Sequence, residues 1–210
     1  MVKNMRVNYR DGGRIKIPRK NKPLEVLTAW INEARERNLI ESNAMCLSTI
    51  GIDGFPRSRM VLLKHINDTE IGFFTNLESD KAVEISRNNR VAITMFWPEL
   101  ERQVRILGET YLMSGEEVGE YHISRPRLSQ VAAFTSIQSK ELVSLEALKE
   151  EFMKTEIIFQ NKEIPVPKNW GGYKISVDSI EYWSGRPSRL HERILLELTK
   201  GKWEQRRLYP

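Results

Sequence analysis

The stretch AMCLSTIGIDGFPRSRMVLLK, residues Ala44 to Lys64, sets the fold class. Upstream of it, Leu24, Leu27, Ile31 and Ala34 recur at helical spacing behind Pro23 in PLEVLTAWINEARERN, the pattern of an amphipathic helix. At Ala44 the period changes. Two apolar runs flank Asp53-Gly54, which predicts a β-hairpin with AMCLSTI and SRMVLLK as its arms. EIGFFTN and RVAITMFW follow as strands on either side of SDKAVEISRN, a short helix with Ser79 as N-cap. ERQVRILGETYLM reads as another strand. Residues 114–159 read as helical, most clearly in SLEALKEEFMKTEIIF. The chain then returns to strands at GYKISVD, SIEYWSG, RLHERILLEL and KWEQRRL, the last two joined by a TKGK turn. Roughly six to eight antiparallel strands with a helical insertion predict a mainly β protein, a closed or split barrel with peripheral α-helices, because closure removes exposed strand edges.

The chain of 210 residues suits one substantial domain. Residues 1–20 are polar, basic and glycine-containing and read as a mobile N-terminal arm; no repeat or linker divides residues 21–210. No apolar run approaches the roughly 20 residues of a membrane span, and the start carries no apolar signal core. A cytoplasmic protein without membrane contact is expected. The single cysteine, Cys46, excludes an internal disulfide, and no Cys/His cluster points to a metal. A net charge of +5 asks for an anionic partner. The basic residues are scattered over strands and loops rather than gathered on one helix, which favours discrete phosphate sites over nucleic acid. Glycine-rich nucleotide loops and the GxSxG elbow are absent from the sequence.

Several polar groups punctuate the apolar strands. Arg59 and Lys64 flank MVLL, Thr75 precedes Ser79 and Lys81, Gln103 sits in ERQVRI, and Tyr121, Arg125 and Ser129 fall in YHISRPRLSQ. Cations beside hydroxyls are the equipment of phosphate binding. Taken singly, each reads as a surface ion pair worth little; taken together they do not. Arg59 and Lys64 have opposite parity and should face different sides of one strand. Ser79 to Lys81 forms a helix start suited either to simple capping or to an anion. In SGRPSRLHER, Ser184 to Arg193, the residues Arg189, His191 and Arg193 fall at i, i+2 and i+4, so an extended segment projects all three from one face. His191 between two arginines should resist protonation and serve as a neutral hydrogen-bonding group. Arg186, outside that register beside Pro187, reads as a surface residue.

These motifs, with MRVNYRDGG, FFTNLESDKA, the Gln138-Ser139 pair of IQSKE, NWGGY and IEYWSGRPSRLHER, run nearly the length of the chain. In that order they resemble the pyridoxine/pyridoxamine 5'-phosphate oxidase family, FMN enzymes of vitamin B6 metabolism. The resemblance implies a homodimeric FMN-binding split barrel with the cofactor at the subunit interface. FMN contacts fall on Arg59, Met60, Val61, Leu62, Phe74, Thr75, Lys81, Gln103, Gln138, Ser139, Trp183 and Arg193. The substrate's phosphate falls to Lys64, Tyr121, Arg125 and Ser129. Its ring falls to Arg189 and His191, with Arg6 and Tyr9 of the arm closing over it as a lid. The implied reaction converts pyridoxine 5'-phosphate or pyridoxamine 5'-phosphate to pyridoxal 5'-phosphate by hydride transfer from C4' to the flavin, with O2 reduced to H2O2. Arg189 and His191 orient substrate rather than acting as strong bases.

One position departs from the family's pattern: where Ser-Arg-Lys is expected beside the cofactor phosphate, this chain has Ser79-Asp80-Lys81. Either it turns outward or the cofactor binds more weakly. Two other readings share the split barrel. A phenazine-pathway flavin oxidase would not need Lys64, Tyr121, Arg125 and Ser129 together, and a non-enzymatic flavin- or haem-binding protein would not need Arg189, His191 and the lid.

Overall fold

The computed structural model describes residue 5 and residues 8–210. Arg6 lies outside the described residues. The helix behind Pro23 is α1 (Glu25–Glu36), and the hairpin is β1 (Ala44–Ile50) with β2 (Pro56–Leu62). The chain continues through β3 (His65–Ile66), β4 (Glu70–Asn76), α2 (Asp80–Arg87), β5 (Arg90–Trp97) and β6 (Arg102–Leu112). Three helices follow, α3 (Gly115–Ser124), α4 (Arg127–Thr135) and α5 (Leu145–Ile158), before β7 (Trp170–Ser184), β8 (Glu192–Thr199) and β9 (Lys202–Arg207). The turn between β8 and β9 places both Lys200 and Gly201 at positive φ, 50° and 75°. Consecutive positive φ values match the right-handed twist of a tight hairpin.

All strand pairings are antiparallel, in the order β2-β1-β5-β6-β7-β4-β3, with β8 on β7 and β9 on β8. The two ends of this path are one continuous stretch of chain. β2 turns through Leu63 and Lys64 into β3, where Leu63 N–H donates to Asn43 and Lys64 N–H to Gly72, so the sheet curls into a split barrel. The expected strands GYKISVD and SIEYWSG are a single strand of 15 residues. The register against β6 shifts between Leu107 and Gly108, which leaves Asp178 as the extra residue of a bulge. Before the bulge β7 pairs with β4 and after it with β8, so one irregular residue lets a single strand serve two neighbours on the same side.

The inward face is apolar. Met45, Leu47, Ile93, Met95, Val104, Ile106, Ile180, Tyr182, Ile194 and Leu196 are buried there, and α1 covers them with Leu27, Trp30 and Ala34. Tyr182 fixes that helix: its hydroxyl donates to the Pro23 carbonyl at 2.7 Å and accepts from Leu27 N–H at 3.2 Å, while Trp30 meets its ring edge-on at 5.4 Å. The outward face is different. Across four adjacent strands Phe96, Gln103, Trp183 and Arg193 stand in one row, and Met60, Cys46 and Thr94 in another on the same face. Met60 is 63% exposed and Phe96 50%. No helix among the described residues is long and apolar enough to cross a membrane.

Candidate functional site

A cavity of about 630 Å3 opens between the β2–β3 corner, β4, the start of α2, and the helices α3 and α4. Arg59, Met60, Val61, Leu62, Lys64, Phe74, Thr75, Lys81, Tyr121, Arg125, Gln138 and Ser139 line it, together with Trp170, Asn76, Asp80, Ala132, Ala133 and Ser136. Arg59 and Lys64, expected on different sides of one strand, are not so divided. β2 ends at Leu62, Lys64 sits in the corner beyond it, and the turn brings both cations to one cavity. Ser129 lies on α4, partly buried, one turn before the lining residues Ala132 and Ala133, and does not itself reach the wall.

Lys81 is the first cation to account for. It is 9% exposed, and its ammonium donates to Gln138 Oε1 at 2.8 Å, Thr75 Oγ1 at 3.2 Å and Ser79 Oγ at 3.3 Å. Its three donors are used, but every acceptor is neutral. Burial, aided by the nearby Arg59 charge, pulls its pKa down. Ser79 is the N-cap of α2, yet its hydroxyl donates to the Asn76 carbonyl at 2.6 Å instead of capping a helix N–H. Ser139, left-handed at φ 69°, accepts from the Asp80 N–H at 3.3 Å and ties the segment after α4 to this helix start. Asp80 itself is exposed.

Arg59 is held from behind. Its guanidinium donates to Glu84 at 2.9 Å and to Thr49, while Arg57 donates to the other Glu84 oxygen at 2.8 Å. Glu84 is 1% exposed, and although burial pushes its carboxyl upward, the Thr49, Arg57 and Arg59 donors outweigh that and keep it below the ordinary range. No local pattern points to this partner, 25 residues away on α2.

Arg125 is the second uncompensated cation. Pro126 forces it into extended backbone, φ −74° and ψ 148°, which ends α3. Its guanidinium lies 4.7 Å from the Trp170 ring centre, and its Nη1 is buried with no hydrogen-bond partner among the described residues. Burial lowers its pKa. Phe74, Tyr121 and Trp170 are mutually parallel within 14°, with Phe74 and Tyr121 stacked at 3.9 Å, and Lys64 stands 5.9 Å from the Tyr121 ring. Trp170 thus belongs to the site as a platform. His122, on the same turn as Arg125, is buried with Nε2 facing the Ile164 carbonyl at 3.1 Å; burial lowers its pKa.

The remaining expected residues gather elsewhere. Gln103, Trp183 and Arg193 share the outward row, where Arg193 donates to the buried Glu181 at 2.8 Å. Tyr9 meets Trp183 and His191 edge-on, each at 5.2 Å, and Trp183 lies 4.8 Å from His191. The strand geometry expected for Arg189, His191 and Arg193 is overturned. β8 begins only at Glu192; Pro187–Arg189 form a short turn with Ser188 and Arg189 both left-handed, φ 57° and 62°. Pro187 cannot donate to a ladder and starts that turn. Two consecutive left-handed residues with side chains cost on the order of 1–2 kcal/mol each, a price of local order that concentrates at functional sites. Arg193 alone of the three is on a strand. The cavity at this end, about 740 Å3, takes in His191 and Arg193 and shares no lining residue with the first. From Trp170 to Trp183 along β7 is about 40 Å of extended chain.

The donor set of the first cavity fits a phosphorylated cofactor and a phosphorylated substrate. Lys81, buried, and Arg125, half-buried with its Nη1 out of solvent, have no carboxylate partner among the described residues, and the unpaired Arg125 Nη1 calls for an acceptor.

Comparison with known proteins agrees along the whole chain. Residues 31–158 match the family model described as pyridoxamine 5'-phosphate oxidase, and residues 170–210 match the pyridoxine 5'-phosphate oxidase C-terminal dimerisation region. The pyridoxine/pyridoxamine 5'-phosphate oxidase of Leptospira biflexa is 46% identical over 90% of this chain and 89% of its own length. That of Shewanella denitrificans is 39% identical over 100% of this chain and 99% of its own. Among solved structures, PhzG from Burkholderia lata in complex with tetrahydrophenazine-1-carboxylic acid superposes with a TM-score of 0.86 at 24% identity, covering 94% of this chain and 100% of its own. A pyridoxamine 5'-phosphate oxidase-related, FMN binding protein from Nostoc punctiforme gives 0.73 at 18%, covering 90% and 98%. At these identities the two structures establish the split-barrel fold alone.

Proposed function

The chain belongs to the pyridoxamine 5'-phosphate oxidase family, and on that premise we propose that it is an FMN-dependent oxidase converting pyridoxine 5'-phosphate and pyridoxamine 5'-phosphate to pyridoxal 5'-phosphate. The observation that carries this reading is the pairing in one aromatic-walled cavity of two cations without carboxylate partners among the described residues, buried Lys81 and half-buried Arg125 with its unpartnered Nη1. FMN, when bound, would supply the redox chemistry, a two-electron, two-proton oxidation at the substrate's C4' carbon with O2 reduced to H2O2, the amine substrate also taking up water and releasing ammonia.

The protein's own residues bind and orient. Lys81 and Arg59 hold the cofactor phosphate, with Gln138, Ser139 and Thr75 completing its polar shell and Met60 to Leu62 and Phe74 lining the walls. Lys64, Tyr121 and Arg125 hold the substrate phosphate, with Ser129 on the neighbouring α4 as the fourth group of that set. Glu84 keeps Arg59 fixed before the cofactor arrives, which lowers the ordering cost of binding. His191 and Arg189 hold the pyridine ring, and Tyr9 with Arg6 covers it.

About 40 Å of β7 separates Trp170 from Trp183, so one flavin does not reach both groups within one chain. The reading therefore requires a homodimer in which Gln103, Trp183, Arg193 and the arm of one copy complete the cavity of the other. The exposed outward face with Met60 and Phe96 suits that contact, and the dimerisation region spans Trp183, His191 and Arg193. A cytoplasmic location belongs to the same proposal.

The test is direct. Protein reconstituted with FMN should form pyridoxal 5'-phosphate from either phosphorylated substrate with consumption of O2, and should sediment as a dimer. FMN binding without turnover would overturn the oxidase reading, and a monomer with full activity would overturn the shared site.

A further inference from the structure

Arg186 reads from the sequence as a bystander, but the structure puts it at the centre of a clasp. Its guanidinium pairs with Asp11 of the arm and lies 3.5 Å from Glu192 at the start of β8. Glu192 in turn accepts from the Ile15 N–H at 2.9 Å and from Arg207 at 2.9 Å. Two backbone bonds extend the same join: Gly12 N–H donates to the Gly185 carbonyl at 2.9 Å, and Gly185 N–H to Glu101 at 2.8 Å. The arm, the loop 185–191, β8 and β9 therefore meet at Glu192, and Arg186 joins that residue to Asp11 of the arm.

The clasp ends on His191. The Arg186 main-chain N–H donates to His191 Nδ1 at 3.1 Å. A backbone N–H cannot accept, so Nδ1 must carry the lone pair, and the ring's one proton sits on Nε2. Ser188 and Arg189, both left-handed, lie between the two partners, so this bond is made across a strained turn that relaxes unless something holds it.

We propose that Arg186 is a positioning residue: through Asp11 and Glu192 it fixes the loop so that His191 presents an Nε2–H donor, which makes the donor state of the site conditional on the docked arm. This rests on the reading of His191 as a contact to the substrate ring. It predicts the substrate feature that His191 meets, a hydrogen-bond acceptor on the ring such as a phenolate oxygen, rather than a donor.

Nitrogen-15 NMR of imidazole-labelled protein, with His191→Gln assigning the signal, reads the tautomer without turnover. The expected spectrum shows a pyridine-type Nδ1 and a protonated Nε2. A protonated Nδ1 in the neutral ring would overturn the proposal. Asp11→Asn and Arg186→Gln should each mix the tautomers and raise KM for the phosphorylated substrate about three- to fivefold, the scale of one partly exposed ion pair. FMN affinity should hold, and Arg186→Lys should recover most of the loss. Unchanged tautomer and KM in both variants would likewise refute it. If no substrate turns over but the tautomer responds as stated, the oxidase reading fails and the clasp stands.

Discussion

Replacing Lys81 by Met separates a structural cation from a ligand-binding one, because the two roles predict opposite signs. Lys81 is buried and satisfied only by Gln138, Thr75 and Ser79, so no carboxylate is orphaned when it goes. A buried charge without a counter-ion is costly, so an apolar side chain of similar volume relieves desolvation, and against that gain three hydrogen bonds to neutral acceptors are lost. Unfolding of the apoprotein in urea should shift by no more than about 1 kcal/mol. Cofactor binding should behave differently. A lysine about 4 Å from one phosphate charge is worth roughly 4 kcal/mol at an effective dielectric near 20, before the cost of stripping water from the phosphate. The net value of a charge-assisted hydrogen bond, about 1.5–3 kcal/mol, corresponds to a loss of roughly 10- to 150-fold in FMN affinity. Quenching of flavin fluorescence during titration of apoprotein at fixed ionic strength measures it. Unchanged FMN affinity with a stability loss of about 3 kcal/mol or more would show that Lys81 neutralises a fold charge and that the cofactor phosphate lies elsewhere.

Asp80→Arg should tighten FMN about three- to tenfold at low salt, the gain being limited because the side chain is exposed and screened; an unchanged Kd would show that the carboxylate exerts no field in the cavity. His191→Ala should lower kcat/KM far more than FMN affinity, whereas Arg193→Ala should weaken FMN and leave the buried Glu181 with Arg105 alone, at 3.3 Å. Equal effects of the two on FMN titration would remove the distinction between ring and cofactor contacts. His122 is kept neutral by burial, so its share of stability is intact above the ordinary imidazole value of about 6.5 and is lost as pH falls from there toward its lower folded value. His122→Phe should therefore flatten the fall in urea stability between about pH 7 and 5.5, and an identical slope in the variant would refute the assignment.

The elements were legible where local chemistry decides them. Asp53-Gly54 marked the hairpin, Ser79 the start of α2 and alternation the long strands β5 and β6. Most of the first cavity was legible too, since Lys64, Lys81, Tyr121, Arg125 and Gln138 do converge. A strand's parity does not extend past its end. Lys64 and the Arg189/His191 pair both lie just outside strands, in a corner and in a left-handed turn, where period-two reasoning has no force. Periodicity also missed the Asp178 bulge that fuses two expected strands into β7, because a single unpaired residue leaves the apolar pattern on both sides intact.

The acidic partners form the other gap, and they share one physical role. Glu84 holds Arg59, Glu181 holds Arg193 and Glu192 holds Arg186, each buried or nearly so and each on a different element from its arginine. An arginine on a strand announces a possible anion site, but the sequence says nothing about the carboxylate that keeps it aimed, since that contact is made by folding. The cations divide accordingly. Those with a buried glutamate behind them are oriented before any ligand binds, and those without one, Lys81 and Arg125, hold the charge that a phosphate must neutralise. Removing a glutamate from the first class should slow or loosen cofactor capture while leaving the electrostatic attraction in place, so Glu84→Gln should weaken FMN less than Lys81→Met and keep nearly the wild-type salt dependence. A loss of salt dependence in Glu84→Gln would show instead that Arg59, freed from its carboxylate, had been the principal phosphate ligand.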